Sequence, residues 1–179
     1  MHSRKIFSNF ASDMKMIGFI RYEGRERMVL KGDSALLNNR KPFFMPEGTE
    51  KVSACPCCVM RVSRLGKHIA PRFASRYYDA VAYGMDFRLE GLMREGDWVR
   101  GCSFDYSLAV GTFVEGQEIP PMDYLKSADE AIAAISEMMT IRQGDYIFID
   151  TTDEPRELTK EEILTYEDKG QELFYCKIK

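Results

Sequence analysis

The sequence predicts an α+β fold, a rolled or sandwiched sheet with one main helix, and three observations carry that prediction. Short apolar segments, several with two-residue alternation, recur between polar turns along most of the chain. A single stretch, Ser127 to Met139, carries a full set of helix signals. No repeat, linker or low-complexity segment divides the 179 residues, so one domain over residues 1–179 is expected.

Each element follows from local pattern. Met16 to Tyr22 and Met28 to Lys31 flank the polar turn Glu23-Gly24-Arg25-Glu26 and read as a hairpin. A strand headed by the cysteines runs through Cys57 to Ser63, with Val59 and Arg61 on one face and Met60 and Val62 on the other. Leu65-Gly66-Lys67-His68 turns the chain, Pro71 to Tyr78 reads as a short helix, and Ala80 to Phe87 as a strand. Leu89 to Arg94 reads as a helical turn, ended by Glu95-Gly96-Asp97, with Trp98 after it as a packing anchor. Phe104 to Val114 reads as one strand, with Gly111 as a bulge or a close backbone approach.

In the main helix Ser127 is the N-cap and Glu130, three residues on, completes a capping box. Ile132, Ile135 and Met139 form its buried stripe. Arg142-Gln143-Gly144-Asp145 turns into the apolar strand Tyr146 to Ile149, and Glu162 to Lys179 reads as a hairpin about Asp168-Lys169-Gly170-Gln171.

Composition excludes several classes of function. The chain is 45% apolar and 30% charged with net charge −3, so neither a nucleic-acid footprint nor a membrane role is expected. No apolar run nears the roughly 18 residues that span a bilayer, and the basic start Met1-His2-Ser3-Arg4-Lys5 lacks the apolar core of a signal peptide. A reducing cytoplasm is the expected location. Five cysteines, an odd number, are unlike a secreted disulfide framework.

Three of the five fall in Cys55-Pro56-Cys57-Cys58. On a strand Cys55 and Cys57 share a face and Cys58 takes the other. Two thiols on one face can be a soft-metal site, a redox pair or small apolar filling.

Five blocks in order resemble the fumarylacetoacetate hydrolase family in its bacterial small-subunit form. They are Lys31 with Asp33 to Leu37 and Arg40-Lys41-Pro42-Phe43-Phe44; Val59 to Ile69; Tyr83-Gly84-Met85-Asp86-Phe87; Trp98 to Val114 about Ser103-Phe104-Asp105; and Thr140 to Phe148. The resemblance implies a mixed β-roll, commonly a homodimer, and Mg²⁺- or Mn²⁺-dependent hydrolysis, decarboxylation or isomerisation of 2-oxo acids and acylpyruvates. The metal would stabilise a developing enolate and would require oxygen ligands.

At the positions that would carry this chemistry the chain departs from the family pattern. Counted back from Leu65-Gly66-Lys67-His68, the two metal-binding glutamates fall on Cys55 and Cys57, while the third acid is kept as Asp86. The family's lysine falls on Cys102, with Phe104 and Asp105 retained, and its arginine on Glu90. Its catalytic histidine overlays Asp13 and the histidine's glutamate partner Met16. The vestigial positions are thus Asp13, Cys102 and Asp105 for catalysis and Cys55, Cys57 and Asp86 for metal.

The leading expectation is a catalytically degenerate member that needs no cofactor, kept for its fold and for binding a ligand, such as a small 2-oxo acid, or another subunit. One alternative keeps the family's activity on a rebuilt Mg²⁺ or Mn²⁺ site with Glu47, Glu50 or Glu90 as stand-in acids. Another gathers Cys55, Cys57, Cys102 and Asp86 about Zn²⁺. A last one makes Cys55 or Cys102 a redox thiolate, its pKa lowered by Lys51 or Arg100. Asp105 is expected to hydrogen-bond nearby backbone.

Overall fold

The computed structural model describes residues 14–48, 51–116, 118–152 and 154–179. Strands β1 (Lys15–Tyr22) and β2 (Arg25–Gly32) form the expected hairpin, in register from Lys15↔Gly32 to Tyr22↔Arg25. Its two turn residues, Glu23 and Gly24, both take positive φ, which matches the turn to the twist of the strands.

The remaining elements are β3 (Leu36–Asn38), β4 (Ser53–Val62), β5 (Tyr78–Arg88), α1 (Glu90–Arg94), α2 (Trp98–Cys102), β6 (Leu108–Val110), β7 (Val114–Glu115), α3 (Ala128–Met138), β8 (Tyr146–Asp150), β9 (Arg156–Glu157), β10 (Ile163–Asp168) and β11 (Gln171–Lys177). They build a mixed sheet of order β2-β1-β8-β4-β5-β6-β3, with β7 on β5 and β9 on β4, and a separate β10–β11 hairpin. β1 runs parallel to β8, and β3 to β6. β4 lies at the centre, antiparallel to β5 on one side and to β8 on the other.

Alternation along β4 sorts the core. Cys58, Met60 and Val62 face α3, where Ile132 and Ile135 are fully buried. Cys57 and Val59 point the other way, into a layer with Met16, Ile20, Leu108 and Phe148. A third layer packs Phe43, Tyr83 and Phe87 under Leu164 and Phe174 of the C-terminal hairpin. The capping box of α3 is formed, with Ser127 Oγ accepting from the Glu130 amide and Glu130 from the Ser127 amide. Gly111 is a close backbone approach: a Cβ there would run into the carbonyl oxygens of Leu173 and Tyr83.

Two segments differ from expectation. Phe104 to Val114 is not one strand; a turn with Tyr106 at φ 63° precedes β6, and only β6 and β7 are paired. Pro71–Arg76 is a 3₁₀ helix, and the unforeseen α2 starts where Asp97 accepts a hydrogen bond from the Arg100 amide. Trp98 does anchor packing, edge-on to Tyr22 at 5.1 Å between ring centroids. Among the described residues no helix is long and apolar enough to cross a membrane.

Candidate functional site: a buried chain of four charges

Asp86 lies on β5 directly across from Cys55 on β4, and Asp150 on β8 lies across from Cys57 on the other side. Cross-strand partners share a face of the sheet, so the two acids flank the two cysteines. Both carboxylates are buried, and so are the cations that meet them.

Lys31 shares the inward phase of β2 with Val29 and is fully buried. Its Nζ lies 2.7 Å from Asp86 Oδ1, an ion pair rather than an aligned hydrogen bond. The same ammonium donates to Ser107 Oγ at 3.0 Å, to the Ser107 carbonyl at 3.2 Å and to the Cys102 carbonyl. Arg88, also fully buried, donates from Nε to Asp86 Oδ2 at 2.6 Å and from Nη1 to the Arg21 carbonyl at 3.1 Å. Its Nη2 reaches across β4 to pair with Asp150. Lys31, Asp86, Arg88 and Asp150 therefore form one chain whose formal charges cancel.

Such a chain survives burial only because every ion faces an opposite charge, since the desolvation penalty of an isolated buried ion is several kcal/mol. Burial is the largest single influence on the Arg88 cation and disfavours it, yet the charge and hydrogen bond of Asp86 together with Cys55 and Glu90 hold its pKa above the usual value. The Arg88 guanidinium thus links Asp86, which is opposite Cys55, to Asp150, which is opposite Cys57.

The thiols around the chain are neutral. Burial pushes Cys55 up, although Arg88 and the Thr151 hydroxyl at 3.7 Å oppose it. Burial, then Asp86, pushes Cys57 well up, and burial raises Cys102 against the pull of Lys31. On the opposite face burial pushes Cys58 up to about 12. The cations expected to activate a thiol are engaged elsewhere: Lys51 pairs with Glu157 at 2.9 Å and Arg100 with Asp97 at 2.5 Å. That part of the redox reading is corrected.

The expected site residues divide as follows. Cys55, Cys57 and Cys102 do gather about Asp86, each close enough to feel its charge. Among the described residues, however, no group of three or more His, Cys, Asp or Glu side chains is arranged to hold a metal ion. Asp13 and Glu50 lie outside the described residues. Asp105 is exposed and makes no hydrogen bond among the described residues, contrary to the structural role expected of it. Glu90 accepts from Ser53 Oγ at 3.1 Å and, with Glu47, Lys51 and Arg94, lines a separate cleft of about 760 Å³.

A Mg²⁺ or Mn²⁺ ion does not fit this donor set. Hard divalent cations need anionic or neutral oxygen ligands, and both oxygens of Asp86 already face an ammonium or a guanidinium. Cys55 and Cys57 add only protonated sulfur. A lysine is nevertheless present: none stands at position 102, but the ammonium of Lys31 arrives from β2 at the Cys102 carbonyl.

Lys31, Arg88 and Asp150 were not among the sequence candidates. Their signal is one of phase. Lys31 falls two residues after the inward Val29, Arg88 two after Asp86, and Asp150 two after the apolar Phe148. A charge in step with a buried face needs a partner, but alternation does not say which strands meet.

No family model matches the chain, and no curated protein sequence does. Solved structures do. A protein described as a fumarylpyruvate hydrolase from Burkholderia cenocepacia superposes with TM-score 0.81 at 17% identity, over 93% of this chain and 85% of that one. A fumarylacetoacetate hydrolase family protein from Yersinia pestis gives 0.78 at 15%, over 93% and 92%. Fumarylpyruvate hydrolase from Pseudomonas aeruginosa, solved with Mn²⁺ and pyruvate, gives 0.77 at 16%, over 93% and 88%. The chain has the fold of fumarylacetoacetate hydrolase-family proteins.

Proposed function

We propose that this chain is a fumarylacetoacetate hydrolase-fold protein without the metal chemistry of 2-oxo acids, kept as a binding protein or a subunit. One observation carries the reading: the retained acid, Asp86, is held between Lys31 at 2.7 Å and Arg88 at 2.6 Å, with all three side chains fully buried. A divalent ion entering there would have to displace two cations already paired to Asp86, one of which also pairs with Asp150. The neutral thiols at 55, 57 and 102 supply neither hard ligands nor a ready nucleophile. The reading takes the protein as a cytoplasmic homodimer.

Calorimetric titration with Mn²⁺ and Mg²⁺, run beside assays of acylpyruvate hydrolysis and oxaloacetate decarboxylation, tests this. The expected result is no binding up to millimolar ion, no metal-dependent turnover, and a melting temperature unmoved by chelator or added Mn²⁺, since an ion bound to the native state would raise it. Micromolar Mn²⁺ binding abolished by Asp86→Asn, or turnover lost with it, would overturn the reading and restore the family chemistry to a rebuilt site.

A further inference from the structure

From Lys51 to Tyr78 the sequence holds no Asp or Glu, although the chain as a whole has 28 acids and net charge −3. Lys51 and Arg61 within this run are paired, to Glu157 and to Asp79 with Glu115. Arg64, Arg72 and Arg76 are exposed and have no acidic partner among the described residues. Lys67 donates to a backbone carbonyl, that of Glu137.

The fold brings the part of this run that follows β4 together with the end of α3. The His68 amide donates to the Ser136 carbonyl at 2.9 Å, and Gly66 pairs with Ile141. The loop after β4 is thereby zipped to the last turn of α3, and the 3₁₀ helix Pro71–Arg76 packs on α3 beside it. Three large apolar side chains protrude here: Leu65 is 69% exposed, Met138 73% and Phe73 37%. The guanidinium carbons of Arg72 and Arg76 both stand 4.8 Å from the centroid of the Phe73 ring. Neither of the two clefts described for this molecule is lined by these residues.

We propose that this end is a docking surface for the acidic face of another protein, with Arg64, Arg72 and Arg76 pairing to carboxylates around Leu65, Phe73 and Met138. The composition favours a protein over a lipid or nucleic-acid surface. Arginine, methionine and aromatic residues are enriched in protein interfaces and lysine is depleted, and here arginines outnumber the single lysine. Guanidinium forks match carboxylates two bonds at a time. Held against one ring, Arg72 and Arg76 lose less freedom on binding than free side chains would. The surface lies on the α3 side of β4, apart from the four-charge chain, so it stands whether or not that chain excludes metal.

Fluorescence anisotropy of the full chain tests this with an 18-residue peptide alternating glutamate with leucine and phenylalanine. Its controls are the same peptide with serine for the apolar residues, an 18-nucleotide single-stranded DNA, and vesicles containing phosphatidylserine. The expected result is binding of the first peptide at least tenfold tighter than its serine control, weakened tenfold or more by Arg72→Ala with Arg76→Ala and by Phe73→Ala. These side chains are exposed, so the melting temperature reports that the variants fold. Absent peptide binding at low salt, equal binding of the serine control, or indifference to Phe73→Ala would each overturn the proposal. Tighter binding of the DNA or the vesicles would assign the surface to that class instead. Sedimentation showing self-association lost in the arginine variant would make the occupant a second copy, and would overturn it too.

Discussion

The two faces of β4 carry the same kind of side chain and meet opposite surroundings. Cys58, Met60 and Val62 press against the apolar stripe of α3 in a cluster of apolar side chains. One residue out of phase, Cys55 and Cys57 lie beside a chain of two cations and two anions. Thiols on both faces are pushed up by burial, so cysteine is tolerated on each as a small apolar residue. The difference lies in what holds each face. Dispersion and exclusion of water are shared among many atoms on the α3 side, whereas on the other side a few ion pairs must all be present together.

The largest effect that would break this comparison is expected from Arg88→Met. It strands Asp86 and Asp150 without their shared cation, and removing one partner of a buried pair costs about 3–5 kcal/mol. Urea denaturation should show that loss. Adding Asp150→Asn should recover part of it, so that the double-mutant cycle gives a coupling of about 1 kcal/mol or more. Additive costs would show that the pair contributes nothing as a pair.

On the α3 face Ile135→Ala should cost about 3 kcal/mol as a lost transfer and an unfilled cavity. Here a second substitution, of a residue it does not touch, should simply add. If Ile135→Ala proved as coupled to Asp150→Asn as Arg88→Met is, the two faces would not be separate.

Alkali should affect both faces alike. Cys57 and Cys58 keep their protons in the folded chain above the thiol's ordinary value of 9.0, while unfolded thiols lose theirs. Their stabilisation is complete below about pH 9 and is lost as pH rises through the folded values, because the unfolded state then binds fewer protons. Each thiol should lower stability by about 1.4 kcal/mol between pH 8 and pH 10. Cys57→Ala and Cys58→Ala should each flatten the measured fall by that amount, whatever they do to stability at pH 7. An unchanged slope in either would mean that the thiol is not sealed from solvent.

Most of the fold was legible because its signals are local. The β1–β2 hairpin, α3 with its capping box, and the β10–β11 hairpin were each written in a turn, a cap or an alternation a few residues long. The break before β6 was not, because it rests on Tyr106 at positive φ, a conformation that tertiary contacts impose on a non-glycine residue. Single-turn α2 had its signal in Asp97, an N-cap that alternation in the residues after it obscured. At the site, Cys55, Cys57, Cys102 and Asp86 could be singled out from the sequence because each sits in a block with a recognisable neighbourhood. Lys31, Arg88 and Asp150 were not, because their meaning is a meeting of β2, β5 and β8, separated by 55 or more residues in the chain.

The neutral chain of four charges also constrains how the sequence can drift. Loss of any one member leaves a buried ion uncompensated, so Lys31, Asp86, Arg88 and Asp150 can be exchanged only in opposite-sign pairs or all at once. Placing glutamates at 55 and 57 would add two negative charges beside Asp86 and Asp150, which Lys31 and Arg88 alone could not balance. Change at this site by single substitutions must therefore cross less stable intermediates, and the four residues hold one another in place.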